Sequence, residues 1–338
     1  MKFSILIIVL SISTSVFAQE AERVFAQDDV LEVTFSLDLE TVLNDVSEER
    51  EQHPAFIAYQ KDGESISVPL KVKTRGNFRR NPENCSFPPL RLNFAKKTSE
   101  GTLFDGLDKV KLVTHCQTNK EVYEQYVVQE YLLYRTYNQL TDKSFRARLL
   151  KITYEDEAGN REPLTRLGFI IEDEELMASR NGGELFDKED LKSDKVDHDQ
   201  TTLLYLFEYM IGNIDWNVNI HHNMKLIGKH ANATMTPVPY DFDHASVVNT
   251  EYADEAPNIG TASLRYQLFR DFCRSEKELL PYFKLFNEQK ESIYQLYNQN
   301  TSLTENQRRR TLRHYDRFYR VINDEVQIEK TFVRTCQG

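Results

Sequence analysis

The stretch GNIDWNVNIHHNMKLI, residues 212–227, sets one aspartate, four asparagines and two histidines between apolar flanks. A second acidic run, PVPYDFDHA, follows at residues 237–245. Carboxylate and amide oxygens in this combination suit hard cations such as Mg2+. Phosphoryl transfer needs such a set: one carboxylate near the attacking hydroxyl, and a second carboxylate with an amide oxygen to hold metal against the phosphates. Asp215, Asp241 and Asp243 are the carboxylates that these two runs offer. Asn217, Asn219 and Asn223 compete for the amide role. The plainer alternative makes these residues helix caps and turn formers. Neighbouring His221 and His222 point in different directions and read as hydrogen-bonded support. His244 is a weaker candidate ligand, and Trp216 reads as loop packing.

The surrounding elements must carry these loops. Leu31, Val33, Phe35, Leu37 and Leu39 alternate with polar residues, as do Ile66, Val68, Leu70 and Val72, which is the period of a strand with one buried face. Shorter strands are expected at 89–94 and 109–115. Thr118 and Glu121 read as a capping box opening a helix that runs to about Leu140. Strands resume at 147–156 and 166–173. The polar segment after them, with Gly182-Gly183, reads as a connector. Leu203, Leu206, Phe207, Met210 and Ile211 make a buried helical stripe, with Asp199 as candidate N-cap and Gly212 past its end. Asp215 then lies in a loop, MKLI and TPVPY read as short strands, and helices fit 276–298 and 303–322.

Helix, aspartate loop, asparagine, two short strands, aspartate: kinase-like folds assemble an active site in this order. The sequence resembles the CotH-type (spore-coat protein H) atypical kinases, in particular their exported bacterial relatives. The matching pieces are VKTRGNFRR (72–80), PPLRLNF (88–94), YVVQEYLLYRTYNQL (126–140), RLGFIIEDE (166–174), GNIDWN…HHNMKLI and VPYDFD. The resemblance implies an α+β, two-lobed protein-kinase-like fold: an N-terminal antiparallel sheet lobe with one main helix over residues 19–174, and a mostly helical C-terminal lobe over 175–338. It implies ATP and Mg2+ or Mn2+ as cofactors, with Asp215 catalytic and Asn223, Asp241 and Asp243 on the metal. RLGFIIEDE would be the hinge that receives adenine. The chain departs from the kinase pattern in two ways. Kinase catalytic loops place the asparagine five residues after the aspartate, whereas here residue 220 is isoleucine and Asn223 comes eight residues on. No G-x-G-x-x-G loop is present. The cation for the phosphates is to be sought among Arg91 and Lys111, on expected strands, and Lys73 and Arg75, which flank the RGN; Glu130 is the candidate acidic partner, with Glu124 behind it.

The expected function is therefore an exported, kinase-like phosphotransferase acting on a protein or small hydroxyl acceptor. The alternatives are a degenerate pseudokinase serving as a binding module, and a metal hydrolase built on His222, Asp241, Asp243 and His244, for which no HExxH pattern exists. A net charge of −11 argues against a nucleic-acid surface. Anion binding would fall to a local basic run, Lys71, Lys73, Arg75, Arg79 and Arg80, unless that run is a solvated strand face. Residues 1–18 read as a secretory signal peptide cleaved after Ala18, which places the chain in the periplasm or outside the cell, with no later membrane span expected. Four cysteines in an exported protein favour disulfides; of three pairings, Cys85–Cys116 with Cys273–Cys336 is the expected one.

Overall fold

The computed structural model describes residues 23–187, 195–218, 220–253 and 273–333. The leader and Cys336 lie outside them. Seven strands close into a barrel in the order β1-β2-β3-β4-β5-β7-β6. They are β1 (Leu31–Leu37), β2 (His53–Lys61), β3 (Glu64–Thr74), β4 (Leu90–Phe94), β5 (Lys109–Val113), β6 (Ala147–Asp156) and β7 (Leu164–Ile171). Short helices α1 (Leu39–Asn44) and α2 (Lys96–Ser99) decorate it, and α3 (Val122–Asn138) interrupts it between β5 and β6. The alternating residues read from the sequence point inward: Phe35, Val68, Val72, Leu92, Leu112 and Ile152 are all buried in one cluster. Side chains fill a barrel of this size, so it is a core and not a pore.

This overturns the expected two-lobed kinase-like fold with an N-terminal antiparallel sheet lobe. β1 pairs antiparallel with β2 and, along Leu31–Leu37, in parallel with Leu150–Asp156 of β6. Both edges that an open sheet would leave are thereby paired, and the sheet is mixed. The physical reason is that alternation specifies which face of a strand is buried but not which distant strand its edge will meet. β2, which links β1 to β3, carries no expected strand; it buries Ala55, Ile57 and Tyr59 but leaves Phe56 43% exposed, which blurs its period.

A second core unites α3 with the later helices: α5 (His198–Ile211), α6 (Glu276–Gln299), α7 (Glu305–Ile322) and the short α8 (Glu325–Ile328). Gly212 ends α5 at φ 68°, and a Cβ there would lie 1.9 Å from Ser246 Oγ, so only glycine fits. The expected caps shift. Glu121, not Thr118, precedes α3 and makes no side-chain cap, because the Thr118 hydroxyl is engaged with Ser86 and His115. Asp197, not Asp199, caps α5 by accepting from Gln200 N at 2.9 Å. The expected connector folds as α4 (Glu174–Arg180) and β8 (Glu184–Phe186), since Met177 and Ala178 are buried and Arg180 pairs with buried Glu172 at 2.9 Å. β8 joins β9 (Met224–Gly228) and β10 (Thr236–Pro239) in a small antiparallel sheet. Among the described residues no helix is long and apolar enough to cross a membrane.

Candidate active site

The loop after α5 is built by its own polar residues. Asn213 Oδ1 accepts from Asp215 N at 3.1 Å, and Trp216 Nε1 donates to the Asn213 carbonyl at 3.2 Å while its ring packs edge-on to Tyr205. Asn217 and His222 exchange both backbone hydrogen bonds at 3.0 Å, closing the intervening residues into a small hairpin with exposed Ile220 near its tip. That hairpin absorbs the eight-residue spacing. Asn223, at φ 51°, folds back so that its Nδ2 donates to Asp215 O at 2.7 Å and to Asp215 Oδ2 at 3.0 Å. Asparagine tolerates the left-handed region better than most residues. His222 Nε2 meets the other Asp215 oxygen at 2.8 Å. Both carboxylate oxygens of Asp215 are thus fixed from one side.

The β9–β10 pairing continues one step, Tyr240 N donating to Asn223 O at 3.1 Å, and this carries Asp241 alongside Asn223. Asp241 sits at φ 65°, pinned by its N–H donating to Tyr134 Oη at 2.9 Å. Phe242 packs against Tyr134 and Phe207, with ring centroids 4.8 and 5.5 Å away, and so anchors the turn in the second core. Asp243 accepts from Tyr252 Oη at 2.9 Å.

Arg79 binds these carboxylates together. Its Nη2 lies 3.2 Å from Asp241 Oδ1 and 3.4 Å from Asp243 Oδ2, and its Nη1 lies 3.9 Å from Glu130 Oε2. Burial opposes the charge on Arg79, yet Asp243, Glu130 and Asp241 hold its pKa well above the ordinary value. Burial pushes Glu130 well above the usual carboxylate range against the pull of Arg79, and raises Asp243 likewise. Asp241 is only partly exposed, and the fields of Arg79, Arg75 and Lys111 outweigh its desolvation and hold its carboxyl below the ordinary value. The cation opposite Glu130 is therefore Arg79, not Arg75, Arg91 or Lys111. Within the basic run nothing in the sequence singles it out: Lys71 is exposed on β3 and Arg80 turns to Glu48.

A row of cations forms the opposite wall. Lys73 of β3 lies directly across from Arg91 of β4, and Arg91 directly across from Lys111 of β5. Like charges opposed in this way destabilise a sheet. Burial and the repulsion of Arg75 lower the Lys111 pKa to about 8. Its ammonium rests 4.3 Å above the Tyr240 ring, and Lys225, paired with Glu174 at 2.8 Å, approaches the same ring at 5.9 Å.

Between the walls lies a cleft of about 620 Å³. Asp215, Asn223, Asp241, Asp243, Arg75, Arg91 and Lys111 all line it; Glu130 stands behind Arg79. Its lining carries seven Lys or Arg against four carboxylates, inverting the charge balance of the chain. Asn217 does not line it, its Oδ1 being used within the hairpin, and Asn219 lies outside the described residues. His221 turns away to Asp187 at 3.3 Å. The expected hinge, RLGFIIEDE, is mostly β7, hydrogen-bonded to β5 and β6 on its two sides, and only its last residue, Glu174, faces the cleft. The Cys85–Cys116 disulfide, the expected bridge, ties the segment between β3 and β4, which bears Arg79 six residues earlier, to the segment after β5; the other expected bridge involves Cys336, outside the described residues.

Among the described residues no three His, Cys, Asp or Glu side chains form a metal cage, so His222, Asp241, Asp243 and His244 are not gathered into one. Mg2+ asks for less: one or two carboxylates, with the remaining positions filled by water and substrate phosphates. The second oxygen of Asp241 and the Oδ1 of Asn223 take no hydrogen bond from the described residues, and both residues border the cleft. This donor set fits a phosphate-borne Mg2+ or Mn2+.

No protein-family model matches the chain, and no curated protein matches it. Among solved structures, the chain is similar to the Helicobacter pylori proinflammatory kinase CtkA, at 10% identity and a TM-score of 0.37, covering 79% of this chain and 89% of that one. A likeness that weak says nothing of the site, and the resemblance to CotH-type proteins rests on the sequence motifs alone.

Proposed function

We propose that this chain is a metal-dependent phosphotransferase that moves a phosphoryl group from ATP to a hydroxyl of a protein or small molecule. The fold-back of Asn223 onto Asp215, beside Asp241 and across from a row of cations, is the observation that carries this reading. Asp215 is held by His222 and Asn223 so that its carboxylate can orient an acceptor hydroxyl and take its proton. The acceptor oxygen forms its bond to phosphorus as the bridging oxygen of the donor departs. Asn223 and Asp241, with Asp243 as a further candidate, would hold Mg2+ or Mn2+, which when bound neutralises phosphate charge. Arg75, Arg91 and Lys111 serve the same end from the other wall. The leader suggests that the protein works outside the cytoplasm, in keeping with the exported CotH-type proteins it resembles.

Arg79 favours a second reading, a binding module without transfer, because it already occupies one oxygen each of Asp241 and Asp243. A thermal-shift titration begins to separate these. Ligand at a hundredfold its Kd stabilises the folded state by about 2.7 kcal/mol, so ATP with Mg2+ or Mn2+ is expected to raise the melting temperature, and less so in Asp241→Asn. No shift with any nucleotide would sink both readings of the cleft.

A further inference from the structure

We infer that the cleft recognises its phosphoryl donor through the phosphate chain alone, with no pocket for a nucleobase among the described residues, so that inorganic tripolyphosphate and nucleotides of any base bind alike. The inference rests on the phosphotransferase reading and names the substrate class of that same site.

Three observations converge. The first is the row Lys73–Arg91–Lys111, in direct cross-strand register on the outer face of the barrel, with Arg75 just past the end of β3. Two strand spacings make this row roughly 10 Å long, room for a chain of several phosphates. None of the four cations makes an ion pair or side-chain hydrogen bond to a described residue, although each lines the cleft of an acidic chain. Opposed like charges cost stability unless something compensates them, and an extended polyanion laid along the row would do so.

The second observation concerns the place where a base would be expected. Kinase-type nucleotide sites take the base on free backbone groups of an interlobe segment. The segment to which the sequence resemblance assigns that role is mostly β7, an inner member of a closed barrel. Leu112 and Val113 of β5 pair with Ile170 and Phe169 on one side, while Arg148 and Leu149 of β6 pair with the same two residues on the other. Phe169, Ile170 and Ile171 are buried. The next residue, Glu172, gives its N–H to the Arg146 carbonyl at 2.9 Å and its carboxylate to Arg180. No edge is left for a base.

The third observation is the lack of a stacking wall. Tyr240 presents a partly buried aromatic ring to the cleft, and the ammonium groups of Lys111 and Lys225 lie over it. Phe78 also lines the cleft and is half-exposed; it packs on Tyr252, the partner of Asp243, and so stands on the carboxylate side, not beside the cation row.

The test is competitive binding to the full chain at fixed Mg2+, comparing ATP, GTP, CTP and inorganic tripolyphosphate, each in wild type, Arg91→Met, Lys111→Met and Phe78→Ala. The expected result is four dissociation constants within about threefold, weakened about tenfold or more together by Arg91→Met or Lys111→Met and unchanged by Phe78→Ala. Both Met variants relieve like-charge opposition, so their melting temperatures should not fall and weakened binding will not reflect unfolding. ATP binding at least tenfold tighter than tripolyphosphate and GTP would overturn the inference and leave the phosphotransferase reading intact. ATP preference lost in Phe78→Ala would overturn it too, and would place the base on that ring. No binding by any of the four would remove the phosphotransferase reading and this inference with it.

Discussion

Replacing Arg79 with methionine keeps most of the side-chain volume and removes the one guanidinium shared by Glu130, Asp241 and Asp243. The three carboxyl side chains are 2%, 30% and 8% exposed, and Arg79 itself is 10% exposed, so water cannot replace the lost charge at Glu130 or Asp243. Removing one member of a buried ion pair typically costs 3–5 kcal/mol, because a desolvated charge is left behind. The upper part of that range is expected here. At about 2–4 °C per kcal/mol the melting temperature at pH 7 should fall on the order of 10 °C. The loss must depend on pH. Arg79 holds the Asp241 pKa below its ordinary value, a contribution present above the unfolded pKa and lost as pH falls through the folded one. Glu130 behaves oppositely, since its folded pKa is raised; its charge penalises the folded state increasingly above pH 4.5. In the variant all three carboxyls relax by taking up protons, so the gap to wild type should narrow steadily between pH 7 and pH 4.5. Denaturant melts across that interval measure it. A loss below about 1 kcal/mol at pH 7, or one independent of pH, would refute the shared-cation account, since exposed pairs contribute only that much.

Glu130→Gln keeps shape and hydrogen-bonding capacity while deleting the buried charge. The stability of the variant relative to wild type should rise as pH climbs from 4.5 toward neutrality, and denaturant midpoints at several pH values report it. Freed of Arg79, Asp241 and Asp243 should bind Mn2+ more tightly in Arg79→Met, seen by the loss of free-ion paramagnetic resonance signal; equal affinity would show that Arg79 does not compete for those oxygens. Converting Cys85 and Cys116 to serine opens a crosslink of separation 31. The chain-entropy relation puts its loss at roughly 3–4 kcal/mol. Because that crosslink anchors the segment between β3 and β4 that carries Arg79, the double variant should also titrate more like Arg79→Met than an unrelated variant of equal stability.

The sequence disclosed the local structure well where one face of an element is buried. Leu31–Leu37 and Glu64–Thr74 alternate cleanly, the α5 stripe ends at Gly212, and α6 and α7 lie where their periodicity places them. Closure of the barrel was not legible, because it depends on β1 meeting β6 across more than a hundred residues, and strand pairing at that range leaves no mark on either strand. The candidate site follows the same division. Asp215, Asn223, Asp241, Arg91 and Lys111 stand out by type and neighbourhood, and the folded chain places them all on one cleft. Two things stayed hidden. The hairpin that shortens the Asp215–Asn223 gap is closed by backbone bonds between Asn217 and His222, which any residue pair could make. Arg79 acquires its role only when the loop after β3 is laid against α3 and the Asp241 turn, a contact between segments 162 residues apart.

Phosphoryl transfer itself is measured most directly as ADP released from ATP in the presence of Mg2+ or Mn2+, with phosphate incorporated into the chain or an added hydroxyl acceptor. Release and incorporation are expected from the wild-type chain, both reduced at least a hundredfold in Asp215→Asn, whose binding of ATP is unchanged. Tight ATP binding by the wild type with no ADP formed, or equal turnover by Asp215→Asn, would contradict the phosphotransferase reading.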